Sequence, residues 1–295
     1  MMSETTLEPL TIITYGAPKT GKTADLLFSF PNAVFLAPNR ACFAPMRRVC
    51  GYEVARKGVV NNLDAVLAKA RQYASDGSVE ALVVDDIALI ADQSIRDWDG
   101  KSNNSYAKWN QLRDVVAELF TIARAAPWHL VIDSHEVGAK DYEGTQAQGG
   151  PKMPSVAAGQ DLAKAASMVL RARVDQSLEL PWPVVYVCDR TDDSYCTGDR
   201  THVAPKLAPM NLGELLRAGG YEISRLYPWQ EDLVERGAEL YAKRGRETAF
   251  AAVAKAVTDK HKGTPLQVRW TLRDVYARQY LRAAAAASPL EGYLG

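Results

Sequence analysis

The stretch "TYGAPKTGKT" (residues 14–23) constrains this chain more than any other, because few local structures accommodate it. An apolar run at 10–13 precedes it and "ADLLFSF" follows, which reads as a strand, a glycine-containing turn and the start of a helix. Gly16, Gly21, Lys22 and Thr23 have the G-x-x-x-x-G-K-[ST] spacing of a phosphate-binding loop. In that setting the backbone N–H groups over residues 17–22, all but that of Pro18, can wrap a phosphate at the positive end of the helix. The expected binding residues are Gly16, Ala17, Pro18, Lys19, Thr20, Gly21, Lys22 and Thr23. Lys22 is suited to neutralise the outer phosphate oxygens of ATP, and the Thr23 hydroxyl to hold Mg²⁺. Lys19 is expected at the surface.

Short β-branched runs alternate with helical patterns through most of the chain, which implies an α/β fold with a parallel sheet flanked by helices. Strands are expected over 11–15, 33–37, 81–85, 130–133 and 168–174. The helix opened by the loop should continue over 25–30 and stop at Pro31; another, over 63–73, has Asn62 available as its cap. The longest helix of this part, over 105–126, places Trp109, Leu112, Val116, Leu119, Phe120 and Ala123 on one stripe for packing against the sheet. Two stretches break the pattern: the polar "DWDGKSNNS" (97–105) and the glycine-rich 136–160, which reads as a long structureless loop. From Val184, "VVYVCDR", "TDDS" and "YCTGDRTHV" read as two strands joined by a turn, forming an antiparallel edge. Beyond Tyr227 the chain reads as helical, so the expected division is a core over 1–226 and a helical module over 227–295.

Composition narrows the classes of function. Lys and Arg number 35 and so do Asp and Glu, so no global basic field attracts nucleic acid, and such binding would need local patches. No apolar run approaches the roughly 20 residues of a membrane span. The start "MMSETTLEPL" lacks the charged-then-apolar pattern of an export signal, so a cytoplasmic location without a membrane partner is expected. Cys42 and Cys50, like Cys188 and Cys196, are separated by seven residues, wider than the usual spacing of paired zinc ligands; reduced thiols are expected.

A nucleotide site of this kind needs an acid closing an apolar strand, and "ALVVDDIALI" supplies Asp85 to hold Mg²⁺ and Asp86 to cap the next helix. "HLVIDSHEV" ends a further strand in Asp133, Ser134 and His135. His135 reads equally well as a γ-phosphate sensor and as an exposed side chain at a capped strand end.

With these residues in place, the layout resembles the RecA-core ATPases, and most closely the phage-encoded single-strand annealing and recombination ATPases. The similarity runs through "YGAPKTGKT", "FPNAVFLAP", "LVVDDIALI", "KWNQLRDVVAELF", "LVIDSHEV", "GDRTHVAP" and "MNLGELL", over about residues 10–220. It implies a RecA-like P-loop core with an antiparallel edge hairpin, and a C-terminal helical extension lying outside the resemblance. It implies that the strand of 130–133 lies between the phosphate-loop strand and that of 81–85, turning His135 toward the γ-phosphate. It implies self-association into a ring or filament, ATP hydrolysis, and action on single-stranded DNA. The stretches 97–105 and 136–160 fall where the family places DNA-binding loops. Lys101, Asn103, Asn104, Lys140 and Lys152 are then candidate phosphate contacts and Tyr142 a stacking partner, with a solvated surface as the alternative for each. Arg200 in "GDR" resembles the residue that reaches a neighbouring subunit's nucleotide, with Arg190 as the alternative.

One departure bears on catalysis. Family members carry a glutamate after the second strand, where this chain reads "FLAPNRA". Asp86 or Glu53 could serve as the base instead, whereas an amide such as Asn39 positions water without taking its proton. Arg269, Arg273, Arg278 and Arg282 do not share one face of the last helix, which reads as a packing or oligomerisation helix with solvated arginines. Two functions therefore stand open: an ATP-dependent recombination or replication protein, and a non-motor nucleotide-binding assembly factor with slow or no hydrolysis.

Overall fold

Thr11 to Tyr15 are apolar or β-branched apart from the tyrosine hydroxyl, and they form the buried strand at the middle of the molecule. The computed structural model describes residues 7–43, 54–99, 101, 106–142, 145–175, 183–189 and 194–287, with backbone alone over 140–142 and 145–147. In chain order, β1 (Thr11–Gly16) leads to α1 (Lys22–Ser29), β2 (Val34–Ala37), β3 (Arg56–Val59) and α2 (Leu63–Tyr73). Then come β4 (Ala81–Val84), α3 (Ile87–Trp98), α4 (Ala107–Ala125), β5 (His129–Val137), β6 (Lys140–Tyr142), β7 (Thr145–Ala147) and β8 (Gly150–Pro151). The rest is α5 (Val156–Ala165), β9 (Met168–Val174), β10 (Val184–Val187), β11 (Gly198–Asp199), β12 (Leu207–Pro209), α6 (Leu212–Ala218), α7 (Gln230–Arg244), α8 (Arg246–Lys255) and α9 (Pro265–Ala287).

The main sheet runs β12-β10-β9-β1-β5-β4-β2-β3. Strands β9, β1, β5, β4, β2 and β3 are parallel to their neighbours in that series, while β10 and β12 add an antiparallel edge. The fold is therefore mixed α/β with a mostly parallel central sheet and a helical C-terminal region, and β5 lies between β1 and β4 as in a RecA-like core. Its two faces are covered separately. Leu67, Ile90, Leu112, Leu119 and Phe120 from α2, α3 and α4 pack on one, and Leu26, Leu27, Leu212, Leu216 and Leu281 from α1, α6 and α9 on the other. Asn62 caps α2 by accepting the Ala65 N–H at 3.0 Å. The α4 stripe faces the core as expected, with Trp109 and Val116 at its partly buried margin.

Three expectations change. The stretch 136–160 is not structureless: β5 runs on to Val137 and pairs antiparallel with β8, β6 pairs with β7, and Ser155 caps α5 through the Ala158 N–H. Polar and glycine residues hide such short pairings, because they carry little alternation to read. At the antiparallel edge, β10 is flanked by β9 and by β12, while β11 pairs with the start of β9, so the turn after β10 does not join two mutually paired strands. The arginines of α9 are not all solvated. Arg273 is buried and paired with Asp25 at 2.8 Å, and Arg278 reaches Glu214, Glu231 and Glu235. A small third core of Val234, Val253, Val257 and Val275 holds α7, α8 and α9 together.

Among the described residues no helix is long and apolar enough to cross a membrane. Cys42, Cys188 and Cys196 are free thiols.

Candidate phosphate-binding site

The loop after β1 is shaped by two glycines. A Cβ on Gly16 would lie 2.3 Å from the Ala172 carbonyl oxygen on β9, so only glycine permits that approach. Gly21 takes φ 93°, a left-handed conformation, and turns the chain into α1. Between them Ala17, Pro18 and Lys19 are exposed, as expected for Lys19, while Thr20 is buried and its hydroxyl donates to the Ala17 carbonyl at 3.1 Å. Lys22 is buried, and its ammonium donates to the carbonyls of Gly16 at 3.2 Å and Ala17 at 3.3 Å. The lysine charge is thus held inside the curve of the loop.

The acids arrive from the neighbouring strands. The Thr23 hydroxyl donates to both Asp85 oxygens, at 3.2 and 3.3 Å. Val84 on β4 is in register with Ile132 on β5, so the next residues, Asp85 and Asp133, come side by side. The Thr14 hydroxyl donates to Asp133 at 2.7 Å. Burial pushes the Asp85 carboxyl up to about 6, and the Asp86 charge adds to this against the Thr23 hydrogen bond and Lys22. Burial also raises Asp133 well above the usual carboxylate range, opposed by Lys22 and reinforced by Asp85. Asp86 has φ 58°, caps α3 by accepting the Leu89 N–H at 3.3 Å, and places Oδ2 3.5 Å from His135 Nε2. The His135 Nδ1 is buried without a hydrogen-bond partner.

Crowded, desolvated carboxylates beside a hydroxyl suit a divalent cation, which would relieve their mutual repulsion. No group of three or more His, Cys, Asp or Glu arranged to hold a metal alone occurs among the described residues. That donor set fits Mg²⁺ bound chiefly through phosphate and water, with Thr23 and Asp85 as the protein side.

The other candidates are distributed around this centre. Lys152 is exposed, and its backbone is tied to the end of β5: its N–H donates to the His135 carbonyl at 2.8 Å and its carbonyl accepts the Ser134 hydroxyl at 2.8 Å. Lys101 is exposed beyond the far end of the 12-residue α3 that Asp86 begins, so it does not join the cluster. Arg200 lies at the other end of the sheet. Its neighbour Asp199 pairs with Met168, which is in register with Ile12, and its guanidinium donates to the Lys164 carbonyl at 2.6 Å. Within one chain it is remote from Gly16. The Asn39 side chain accepts the Ala41 N–H at 2.9 Å and so serves its own turn. Glu53, Asn103, Asn104 and Arg190 lie outside the described residues, and Lys140 and Tyr142 are described by backbone alone.

Two arrangements escaped the sequence reading. Asp133 stands beside Asp85, a pairing signalled only by the parallel endings "LVVD" and "LVID". Asp25 on α1 is fully buried and accepts from the Tyr186 hydroxyl at 2.7 Å, the Leu212 N–H at 3.2 Å and Arg273 at 2.8 Å.

No protein-family description matches the chain, and no curated protein matches it. Among solved structures it is similar to the crystal structure of the RadB recombinase, at 14% identity and a TM-score of 0.39, over 61% of this chain and 80% of that one. A likeness of that size carries no argument about function, which has to come from the site itself.

Proposed function

We propose that this chain is an ATP-binding, slowly hydrolysing protein of phage-type DNA recombination or replication, acting on single-stranded DNA as a self-associated ring or filament. The observation that supports it best is the convergence of Lys22, Thr23, Asp85, Asp86 and His135 where β1, β4 and β5 end. Open α/β sheets bind ligands at that end of their strands. In this reading residues 16–23 hold the triphosphate, Lys22 gives up its loop carbonyls for phosphate oxygens, and Thr23 and Asp85 hold Mg²⁺. Bound Mg²⁺ supplies charge neutralisation across the phosphates. Asp86 takes the proton of the attacking water, and His135, 3.5 Å away, orients that carboxylate and reads the γ-phosphate. Lys152, tied by its backbone to His135, together with Lys101, Asn103 and Lys140, contacts DNA phosphates; Arg200 completes a neighbour's site. Residues 1–226 form the ATPase core and 227–295 a helical module, joined through the Asp25–Arg273 pair.

Calorimetric titration with ATP and Mg²⁺ tests the binding step. Saturable heat in the wild type and none in Lys22→Ala support it; equal binding in both contradicts it. The second reading, a non-motor assembly factor whose nucleotide is a switch, is favoured by "FLAPNRA", where Asn39 is committed to its own turn. It predicts ATP binding with slow or no turnover, unchanged at any DNA concentration.

A further inference from the structure

Tyr227 and Trp229, just before α7, and His261, in the turn between α8 and α9, form a run of nearly parallel rings. Trp229 lies 5.3 Å from Tyr227 at an interplanar angle of 7°, and 4.5 Å from His261 at 15°. All three rings are half-buried, and Trp229 packs against the small valine core, which fixes the run in place. Other ring pairs on these helices are not parallel: 72° for Tyr241 and Phe250, 65° for Tyr241 and Tyr276, and 34° for Tyr276 and Tyr280. A parallel run at the surface offers a planar ligand a face to extend, as nucleobases do on aromatic side chains.

Charge accompanies the rings. Lys260 and Lys262 flank His261, both are exposed, and neither has an ion-pair partner among the described residues. Their backbone is held firmly. Ala256–Lys260 forms a π-helical turn, Lys262 takes φ 53°, and the Gly263 N–H donates to the Val257 carbonyl at 2.8 Å. A Cβ on Gly263 would lie 2.4 Å from a Val257 methyl, so the turn closes tightly onto the core. Two exposed ammonium groups beside a ring run, without ion-pair partners among the described residues, match the alternation of phosphate and base along a single strand.

We propose that this surface binds single-stranded nucleic acid, with a base stacked on the ring run and backbone phosphates against Lys260 and Lys262. The inference stands apart from the phosphate loop and does not require ATP to be bound.

The test is fluorescence anisotropy of a labelled oligo-dT probe with the full chain, without nucleotide, across a salt series. Wild type binds. His261→Ala weakens binding about tenfold, and His261→Phe, which keeps a stacking face, recovers most of it. Lys260→Gln with Lys262→Asn, the asparagine tolerating the left-handed backbone, lowers the slope of log K against log salt by about 1.4. Absence of wild-type binding, or wild-type behaviour of the His261 and lysine variants, would overturn the proposal.

Discussion

Replacing Arg273 by methionine removes the buried pair between α9 and α1, together with the Asp274 contact and the ring contacts to Trp270 and Phe28 that the same guanidinium makes. Arg273 and Asp25 are both buried, and the guanidinium donates to Asp25 Oδ1 at 2.8 Å. Tyr186 and Leu212 both donate to the other oxygen, Oδ2, so the methionine variant leaves a buried charge with one oxygen unpaired. Removing one partner of a buried pair costs about 3–5 kcal/mol, because the remaining charge stays desolvated. The two surviving hydrogen bonds place the expected loss near the lower limit, about 3 kcal/mol. Urea unfolding followed by circular dichroism reads this as a fall in midpoint, and the double variant Asp25→Asn/Arg273→Met should lose less than the sum of the single losses. Because α1 also carries Lys22, saturating ATP should restore about 2.7 kcal/mol at a hundredfold excess over Kd. A loss below about 1 kcal/mol, or strictly additive single losses, would refute the view that this pair clamps α9 onto the phosphate-loop helix.

Other perturbations follow the same logic. Gly16→Ala drives a methyl group to 2.3 Å from the Ala172 carbonyl, and should cost about 3 kcal/mol or more in thermal or urea unfolding. Burial lowers His129, whose Nδ1 accepts the Leu10 N–H, to about 4. The unfolded chain then binds the extra proton first, and stability falls as pH drops from about 6.5 to 4, by up to roughly 3 kcal/mol; His129→Gln should flatten that limb of a pH–stability curve. Asp85 has the opposite sign: its carboxyl is raised to about 6, so the folded form holds the proton longer and stability falls as pH rises from about 4 to 6. Asp85→Asn should reduce that slope without abolishing it, because Asp133 is raised in the same sense, and the same variant should lose Mg²⁺-dependent ATP binding in calorimetry.

Local features were legible before the structure, and long-range ones were not. The strand–loop–helix around Lys22 and the Asn62 and Asp86 caps each depend on a few adjacent residues with strong conformational preferences. The β3 strand "RKGV" is short and half polar, so no alternation separates it from a loop. Bringing Asp85 beside Asp133 requires the β4–β5 register, which depends on sheet order rather than on either segment alone. Arg273 looked solvated because helical periodicity can show that four arginines lack a common face, but not that an acid 248 residues away meets one of them. The glycine-rich 136–160 concealed a strand extension and a hairpin for the opposite reason: pairing there is made by backbone groups, which leave little trace in side-chain pattern.

The central claim is that the cluster around Lys22 hydrolyses ATP in response to single-stranded DNA. Steady-state phosphate release, measured with and without oligo-dT for wild type, Lys22→Ala and Asp86→Asn, tests it most directly. The account predicts slow wild-type turnover that rises with DNA, and none above background in either variant. Turnover indifferent to DNA, or undiminished in Asp86→Asn, would contradict it.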